Sequence, residues 1–322
     1  MNIGRVFDAE KFKENILKRR VLAVISIMVI IPLLFFVFYY VFKQQHYIIM
    51  SLLVLLTCIL PFFMVFEYRK PRAREVVLLA TMTAFAVVSN VICTHTVPLH
   101  AGTAIVIITG ISLGPEAGFL TGALSRLICN VFDGQGPWTP WQMVAWGLIG
   151  FLSGLTFNRA DIKASSLFEE STGRVYDSFK IVAGPVVSVI FCEMLGYIIF
   201  LIQGARGNFF GWRLYAFGVL GLIVGVITQR KKLPADVVTM TIFTFFVSFI
   251  IYGGILNFAS MMMQGMVDPE SNEVGMKFLR TVYITGVPYD LHHAFGASLV
   301  IFFFGEGLIK KLQRVKIKYG IL

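Results

Sequence analysis

The sequence predicts an all-α polytopic membrane protein. Hydrophobic residues make up 57% of the 322-residue chain and its mean hydropathy is +0.78, which is more apolar surface than a soluble core requires. Several apolar runs reach about 20 residues, the length that crosses roughly 30 Å of hydrocarbon. Lysine and arginine also collect in the polar segments on alternate sides of these runs. This charge bias is typical of inserted membrane helices.

The first 74 residues are predicted to precede the main domain. Residues 1–20 form a charged cytoplasmic lead-in, and residues 21–74 form an accessory two-helix membrane hairpin with spans at 21–42 and 47–66. Charged and polar residues precede the first apolar run, and no small-residue cleavage site follows it. We therefore expect this run to remain as a span and not to be removed as a signal peptide.

Residues 75–322 form the predicted main membrane domain. Further apolar segments follow one another along it, and the region near 180–230 is predicted to be an extra helical hairpin. With the first two spans, these segments bring the total to about ten. They are 75–94, 101–113, 116–132, 141–157, 181–203, 212–228, 237–263 and 290–309.

The basic residues predict the orientation of these spans. With ten spans and a cytoplasmic N-terminus, 22 of the 28 lysines and arginines fall on inner segments, five fall on outer turns, and Arg126 falls within a span. Lysine and arginine are retained on the cytoplasmic side, so both termini are predicted to be cytoplasmic. The net charge of +10 then needs no nucleic-acid partner to explain it.

A turn between two predicted spans, GQGPWTPWQ at 134–142, is the main candidate binding segment. Pro137 and Pro140 prevent the helix from continuing. Flat apolar faces then stand beside hydrogen-bonding groups, a mixture that suits a small amphipathic ligand. The alternative is an interfacial turn whose indoles lie at headgroup depth. The side chains concerned are Gln135, Trp138, Thr139, Trp141 and Gln142.

Arg126 and Asn130 form a second candidate group. They are four residues apart in a predicted helix and therefore share one face. Ionisable groups inside hydrocarbon are costly and usually face a cavity or a partner. The pair is expected to contact an anionic or amide-bearing ligand. The alternative is an interhelical bridge from Arg126 to Glu116 or Glu193.

Asp290 and His293 form a third group, at the predicted start of the last span. Because they are three residues apart, they share a face, and His293 can bind a ligand or be oriented by the carboxylate. The alternative for Asp290 is a helix N-cap. The neighbouring His292–His293 pair lacks the spacing of a helical zinc site, so no metal site is predicted. The four cysteines are scattered and suggest buried thiols.

Residues 141–154 resemble residues 212–225 at an offset of 71, and Gly114-Pro115 recurs as Gly184-Pro185. The similarity suggests a duplicated helical hairpin, since transporters often contain internal repeats. The alternative is chance similarity between glycine-rich membrane helices. The matching pairs are Trp141 and Trp212, Ala145 and Ala216, Gly147 and Gly218, Gly150 and Gly221, and Gly154 and Gly225.

Three segments together resemble the substrate-binding (S) components of energy-coupling factor (ECF) transporters. They are the run 103–123 with its Gly114-Pro115 pair, the GQGPWTPWQ turn with the glycine-rich helix after it, and the GVPYDLHHA segment at 286–294 that leads into a basic tail. The likeness covers roughly 75–159 and 240–318. It implies a six-helix, S-component-like core, which the hairpins at 21–74 and 180–230 exceed.

The resemblance also implies a function. Such a subunit binds a vitamin or related micronutrient at the outer face of the bacterial cytoplasmic membrane. It docks on a transmembrane coupling subunit driven by two ATPases. No cofactor is expected in this chain, which has no phosphate-binding loop. Members with a GPWTPWQ turn resemble those assigned to cobalamin or its precursors, so this cargo is favoured. The chain begins Met1-Asn2, unlike the nickel and cobalt members.

The resemblance assigns partner docking to an Ala-x-x-x-Ala motif that falls on Ala80 and Ala84. Two other functions stay open: a membrane-embedded enzyme that uses Arg126, Asp290 and His293, and a stand-alone ion-coupled carrier. The residues expected to bind substrate are Asn90, His95, His100, Arg126, Asn130, Gln135, Trp138, Thr139, Trp141, Gln142, Tyr289, Asp290 and His293.

Overall fold

The computed structural model describes residues 73–96, 99–157, 188–203, 212–228, 236–267 and 274–319, together with Leu33, Leu53 and Thr57. The predicted lead-in and nearly all of the hairpin 21–74 lie outside the described residues, as does the loop 158–187. Within the described ranges the chain forms helices and no strand, so the all-α class is confirmed there.

The described helices agree with most of the predicted spans. Two π-helical turns, Val247–Tyr252 and Ile301–Gly305, join α7 to α8 and α9 to α10, so that each pair forms one continuous rod. The helices are α1 Ala73–Thr96, α2 Ala101–Leu113, α3 Pro115–Asp133, α4 Thr139–Thr156, α5 Ser188–Ile202, α6 Trp212–Thr228, α7 Val237–Phe246, α8 Gly253–Val267, α9 Val274–Val300 and α10 Glu306–Tyr319.

Two of the described helices are long and apolar enough to cross a membrane, over Ala73–Cys93 and Val237–Ser260. Shorter apolar helices cover Ala101–Leu113, Ser188–Ile202 and Arg213–Gly225. These lengths and compositions agree with a membrane protein. The number of ten spans and the cytoplasmic position of both termini remain predictions.

The core of the bundle is α2, which is buried along nearly its whole length. Helices α1, α3, α4, α9 and α10 all pack against it, as expected for a helix that is hydrophobic on every side. At its C-terminal end, Lys316 of α10 donates a 2.8 Å hydrogen bond to the carbonyl oxygen of Ser112. A cation at this end satisfies an unpaired carbonyl and complements the helix dipole.

Helices α2 and α3 form a tight hairpin around Gly114, whose φ of 106° favours glycine. Pro115 then begins α3, at a position where its missing N–H costs nothing. Helix α4 crosses α3 at backbone contact, because a Cβ on Gly150 would lie 2.3 Å from the carbonyl oxygen of Gly118. Small residues at such crossings allow close packing of membrane helices.

The contacts of α5 and α6 repeat those of α3 and α4 at the sequence offset of 70 to 71. Asn130 contacts Gln142 in the first hairpin, and Phe200 contacts Arg213 in the second. Similarly, Gly150 meets the backbone of Gly118, and Gly221 meets the backbone of Ser188: a Cβ on Gly221 would lie 2.8 Å from the Ser188 carbonyl oxygen. Equivalent positions therefore meet in both hairpins, which favours duplication over chance similarity.

The end of the chain differs from the prediction. The last span was expected at 290–309, with Asp290 as a possible N-cap, but α9 begins at Val274 and passes through Pro288. Asp290 is therefore an internal helical residue, and the alternative that it caps the helix is wrong. Proline is tolerated inside membrane helices where neighbouring groups satisfy the freed backbone.

Candidate functional site

A cluster of polar side chains lies where α3 ends and α4 begins. Its centre is Thr139, whose hydroxyl donates to Gln135 Oε1 at 2.9 Å and accepts from Asn130 Nδ2 at 2.9 Å and the Gly136 N–H at 3.2 Å. A hydroxyl group has one donor and two acceptor positions, so these three bonds use the whole hydrogen-bonding capacity of the Thr139 hydroxyl. The turn is thereby fixed on the last residues of α3. Thr139 and Gln142 of the predicted segment thereby contact Asn130.

Arg126 extends this cluster along α3. Its Nε donates to Gln142 Oε1 at 3.0 Å, and Asn130 Nδ2 reaches the same oxygen at 2.8 Å. Its terminal nitrogen forms a 3.3 Å ion pair with Asp133. The guanidinium also lies 5.5 Å from the ring centroid of Trp146, within cation–π range.

Arg126 and Asn130 therefore share a face, as their spacing predicted. The alternative, an interhelical bridge from Arg126 to Glu116 or Glu193, is not among the ion pairs of the described residues. The carboxylate that pairs with Arg126 belongs to Asp133, on its own helix.

Two buried polar atoms in this cluster have no hydrogen-bond partner among the described residues. They are the acceptor Asn130 Oδ1 and the donor Trp146 Nε1. Buried polar atoms are nearly always paired, so an unpaired one requires an explanation. An acceptor and a donor beside a guanidinium group would together suit a ligand with amide or carbonyl edges.

A second cluster of rings lies against the start of α2. His100, in the connection between α1 and α2, stacks on His293 of α9 with 4.0 Å between ring centroids and 6° between planes. Thr103 Oγ1 lies 2.9 Å from His293 Nε2. Tyr252, from the π turn between α7 and α8, places its ring centroid 4.1 Å from that of His293. His292 meets His100 edge-on at 5.7 Å.

The electrostatics of His100 connect the two clusters. The pKa of His100 is lowered to about 4, mainly by burial and to a smaller extent by the charges of His292 and Arg126. The Arg126 charge therefore acts on the imidazole group although the two residues belong to different elements. His100 is held neutral at physiological pH, which leaves one ring nitrogen as an acceptor and the other as a donor.

The remaining predicted residues lie in different surroundings. Asn90 is buried and donates to Cys129 Sγ at 3.7 Å. Trp141 is also buried, with its ring centroid 6.0 Å from that of Phe258, whereas Trp138 is 39% exposed. Gln135 also donates to the carbonyl oxygen of Leu127. His95 lies in the last turn of α1, and its side chain is outside the described part of the chain.

Asp290 and Tyr289 are not brought into either cluster. Asp290 accepts hydrogen bonds from Tyr215 of α6 and from Asn257 Nδ2 of α8, the latter at 2.7 Å. The contacts of His293 are made instead with His100, Thr103 and Tyr252, so the expected orientation of His293 by this carboxylate is not observed. Tyr289 is 79% exposed and faces away from the bundle.

Sequence reasoning missed five residues of the two clusters, which are Asp133, His292, Thr103, Trp146 and Tyr252. Thr103 follows His100 by three residues at the start of α2, and this spacing was an available signal. Trp146 lies one helical turn after Gln142 and could have been found in the same way. Tyr252 lies in a long apolar run, where nothing in the sequence distinguishes it from a core residue. Among the described residues, no three His, Cys, Asp or Glu side chains form a potential metal site.

Residues 70–210 match the family model of the ECF-type riboflavin transporter S component. The match covers less than half of the chain and includes helices α1 to α5. No match was found among curated proteins or among solved structures. The family match supports an S component of the ECF type, which is a transporter subunit and not an enzyme. It gives no support to cobalamin as the cargo.

Proposed function

We propose that this protein is the substrate-specificity subunit of an ATP-driven ECF importer and captures a vitamin-like micronutrient at the outer membrane face. The observation that carries the proposal is that the Arg126 and His100 clusters lie close together in a predominantly apolar bundle. The Arg126 charge acts on His100, and a Cβ on Gly102, two residues after His100, would lie 2.8 Å from the Trp146 ring. Ionisable residues at such a position usually serve a ligand. The match over residues 70–210 supports the same class of protein.

The chemistry of the site favours a flat heteroaromatic cargo with polar edges. Aromatic rings of Trp146, His100 and Tyr252 supply stacking faces, while Arg126 supplies a cation. Asn130 Oδ1 and Trp146 Nε1 supply an acceptor and a donor that have no partner among the described residues.

Riboflavin, the vitamin in the name of the matched family, is the first cargo to assay. Its ring is flat and its edges carry carbonyl and N–H groups, as this site requires. Cobalamin and its precursors, which the GPWTPWQ turn favours by resemblance, are the second.

Partner docking is proposed on the exposed face of α1. Ala80 and Ala84 are exposed, and Val77 and Val88, which are 65% and 53% exposed, lie on the same face. Small residues let a second helix approach the backbone closely. The proposed partners are a transmembrane coupling subunit and the two ATPase subunits bound to it.

The test is equilibrium binding by the purified chain, with riboflavin and cobalamin assayed separately, and identification by mass spectrometry of any small molecule released on denaturation. Arg126→Gln should weaken binding of the cargo roughly tenfold or more, since a hydrogen bond to a charged group contributes about 1.5–3 kcal/mol. The matched control is Arg213→Gln. Arg213 occupies the position in the second hairpin that is equivalent to Gln142, and its substitution should change the dissociation constant of the cargo by less than about twofold. Equal loss in both variants, or no loss in Arg126→Gln, would contradict the proposed site.

A further inference from the structure

A separate cavity of about 300 Å³ lies between α5, α6 and the rod formed by α7 and the π turn after it. Its wall is made mostly of hydrocarbon and aromatic side chains, among them Val189, Leu214 and Phe249. The polar residues of the lining are Glu193 and Tyr215. A volume of this size is at the lower end of the range for small-molecule sites.

Glu193 has no counter-ion or donor among the described residues. Its Oε2 atom is buried without a hydrogen-bond partner. Tyr215, the other polar residue of the lining, donates its hydroxyl hydrogen to Asp290 instead. Glu193 is the sixth residue of α5, about 8 Å along the helix axis from its first residue. A lone carboxyl group at such a depth in an apolar helix is costly and usually marks a site.

The neighbouring helix leaves space for this carboxyl group. A Cβ at Gly218 of α6 would lie 2.8 Å from Glu193 Oε1. In the first hairpin the equivalent glycine, Gly147, is covered by the ring of Phe119, and the position equivalent to Glu193 is Ala123. The second hairpin therefore keeps the glycine crossing of the first and places an acid beside it.

The cavity is reached from an exposed surface of α5, which the predicted span 181–203 would place in lipid. Ile190 and Met194 belong to its lining, and they are 52% and 60% exposed. The second hairpin does not repeat the polar cluster around Arg126. For example, Phe200 occupies the position that is equivalent to Asn130. The ligand chemistry of this cavity is consequently unlike that of the outer site.

We infer that this cavity binds a lipophilic organic ammonium compound that enters from the bilayer. The hydrocarbon or aromatic body would occupy the apolar lining, and the ammonium group would pair with the Glu193 carboxylate beside Gly218. Ion pairing with a hydrogen bond compensates the burial of both charges. The inference does not depend on the cargo of the outer site.

The inference can be tested by photolabelling in nanodiscs of uncharged lipid, with two probes that share an alkyl chain carrying a diazirine. One probe ends in a primary amine and the other in an alcohol. The amine probe should label peptides from 188–202 and 212–228 roughly tenfold more than the alcohol probe. Glu193→Gln should remove this preference while leaving labelling by the alcohol probe unchanged.

The control variant is Glu306→Gln, which alters a carboxylate that is already paired with Lys310 on α10 and should keep the preference. If Glu193→Gln lowers the yield of folded protein, Gly218→Ala serves instead, because its methyl group would displace the carboxyl group. It should also reduce labelling by the amine probe severalfold. Equal labelling by both probes in the unaltered chain, or an amine preference that survives both substitutions, would overturn the inference.

Discussion

At the scale of single residues, the candidate site depends on groups whose hydrogen-bonding capacity is already committed. The Thr139 hydroxyl uses its one donor and both acceptors within the turn and the end of α3. Gln142 Oε1 accepts from both Arg126 and Asn130. These contacts hold the guanidinium group in place before a ligand arrives. Such preorganisation reduces the entropy lost on binding.

His100 makes the stability of the protein depend on pH. Burial, together with the charges of His292 and Arg126, lowers its pKa to about 4, whereas an unfolded histidine has a pKa near 6.5. Between these values the unfolded chain binds a proton that the folded chain does not. Stability is therefore complete above about pH 6.5 and falls as the pH falls toward 4, by at most about 1.4 kcal/mol per pH unit.

This dependence can be measured as the thermal unfolding midpoint in detergent from pH 8 to pH 4.5. His100→Asn should flatten the decline below pH 6.5. His46→Asn, which changes a histidine of the predicted turn at 43–46, should leave the decline as it is. A profile that His100→Asn does not alter would show that this imidazole group is not the source.

Single residues were predictable where local spacing carried the signal. The i, i+4 relation of Arg126 and Asn130 placed both on one face, and both now contact Gln142. The partners of Asp290 were not predictable, because Tyr215 is 75 residues away in sequence. Only the packing of α6 against α9 brings the hydroxyl group to the carboxylate.

At the scale of helices, the crossing of α3 and α4 positions the two halves of the polar cluster. Gly150→Ala would place a Cβ 2.3 Å from the Gly118 carbonyl oxygen, and a backbone atom cannot move aside as a side chain can. Overpacking of this kind typically costs 1–3 kcal/mol. We expect a lower unfolding midpoint and weaker cargo binding, because the turn at 134–138 would shift relative to α3.

Gly307→Ala is the matched control for this prediction, since a Cβ there meets nothing within 4 Å. It should be neutral or stabilising by up to about 1 kcal/mol, as for alanine in an exposed helix. The interpretation of the crossing would be wrong if Gly150→Ala were as stable as Gly307→Ala.

Helix limits were predictable where turn residues mark them. The segments 101–113 and 212–228 were predicted at the bounds that α2 and α6 have. The start of α9 was not predictable in this way, because Pro288 normally ends a helix. Asn257 and Tyr215 bind Asp290, two residues beyond Pro288, and no local sequence pattern reveals these neighbours.

At the scale of the whole molecule, the family match supports a transporter subunit, and the charge distribution predicts which end of the bundle faces outward. From the 22 basic residues on predicted inner segments, we expect the Arg126 and His100 clusters to lie at the outer face. Hydropathy and charge are sufficient to predict spans and orientation, because both depend on the bilayer and not on particular side-chain contacts. Neither property bears on the proposed division of function between this chain and separate ATPase subunits.

The most direct measurement is uptake of the identified cargo into proteoliposomes that contain this chain, with and without the ECF coupling subunit and its two ATPases. The proposed function predicts binding but no accumulation by the chain alone, and ATP-dependent accumulation by the full complex. In the complex, Ala84→Leu should abolish uptake while cargo binding persists, whereas Val131→Leu, at a lipid-exposed position of α3, should leave both unchanged. Accumulation driven by an ion gradient in liposomes with this chain alone would contradict the account and identify a stand-alone carrier.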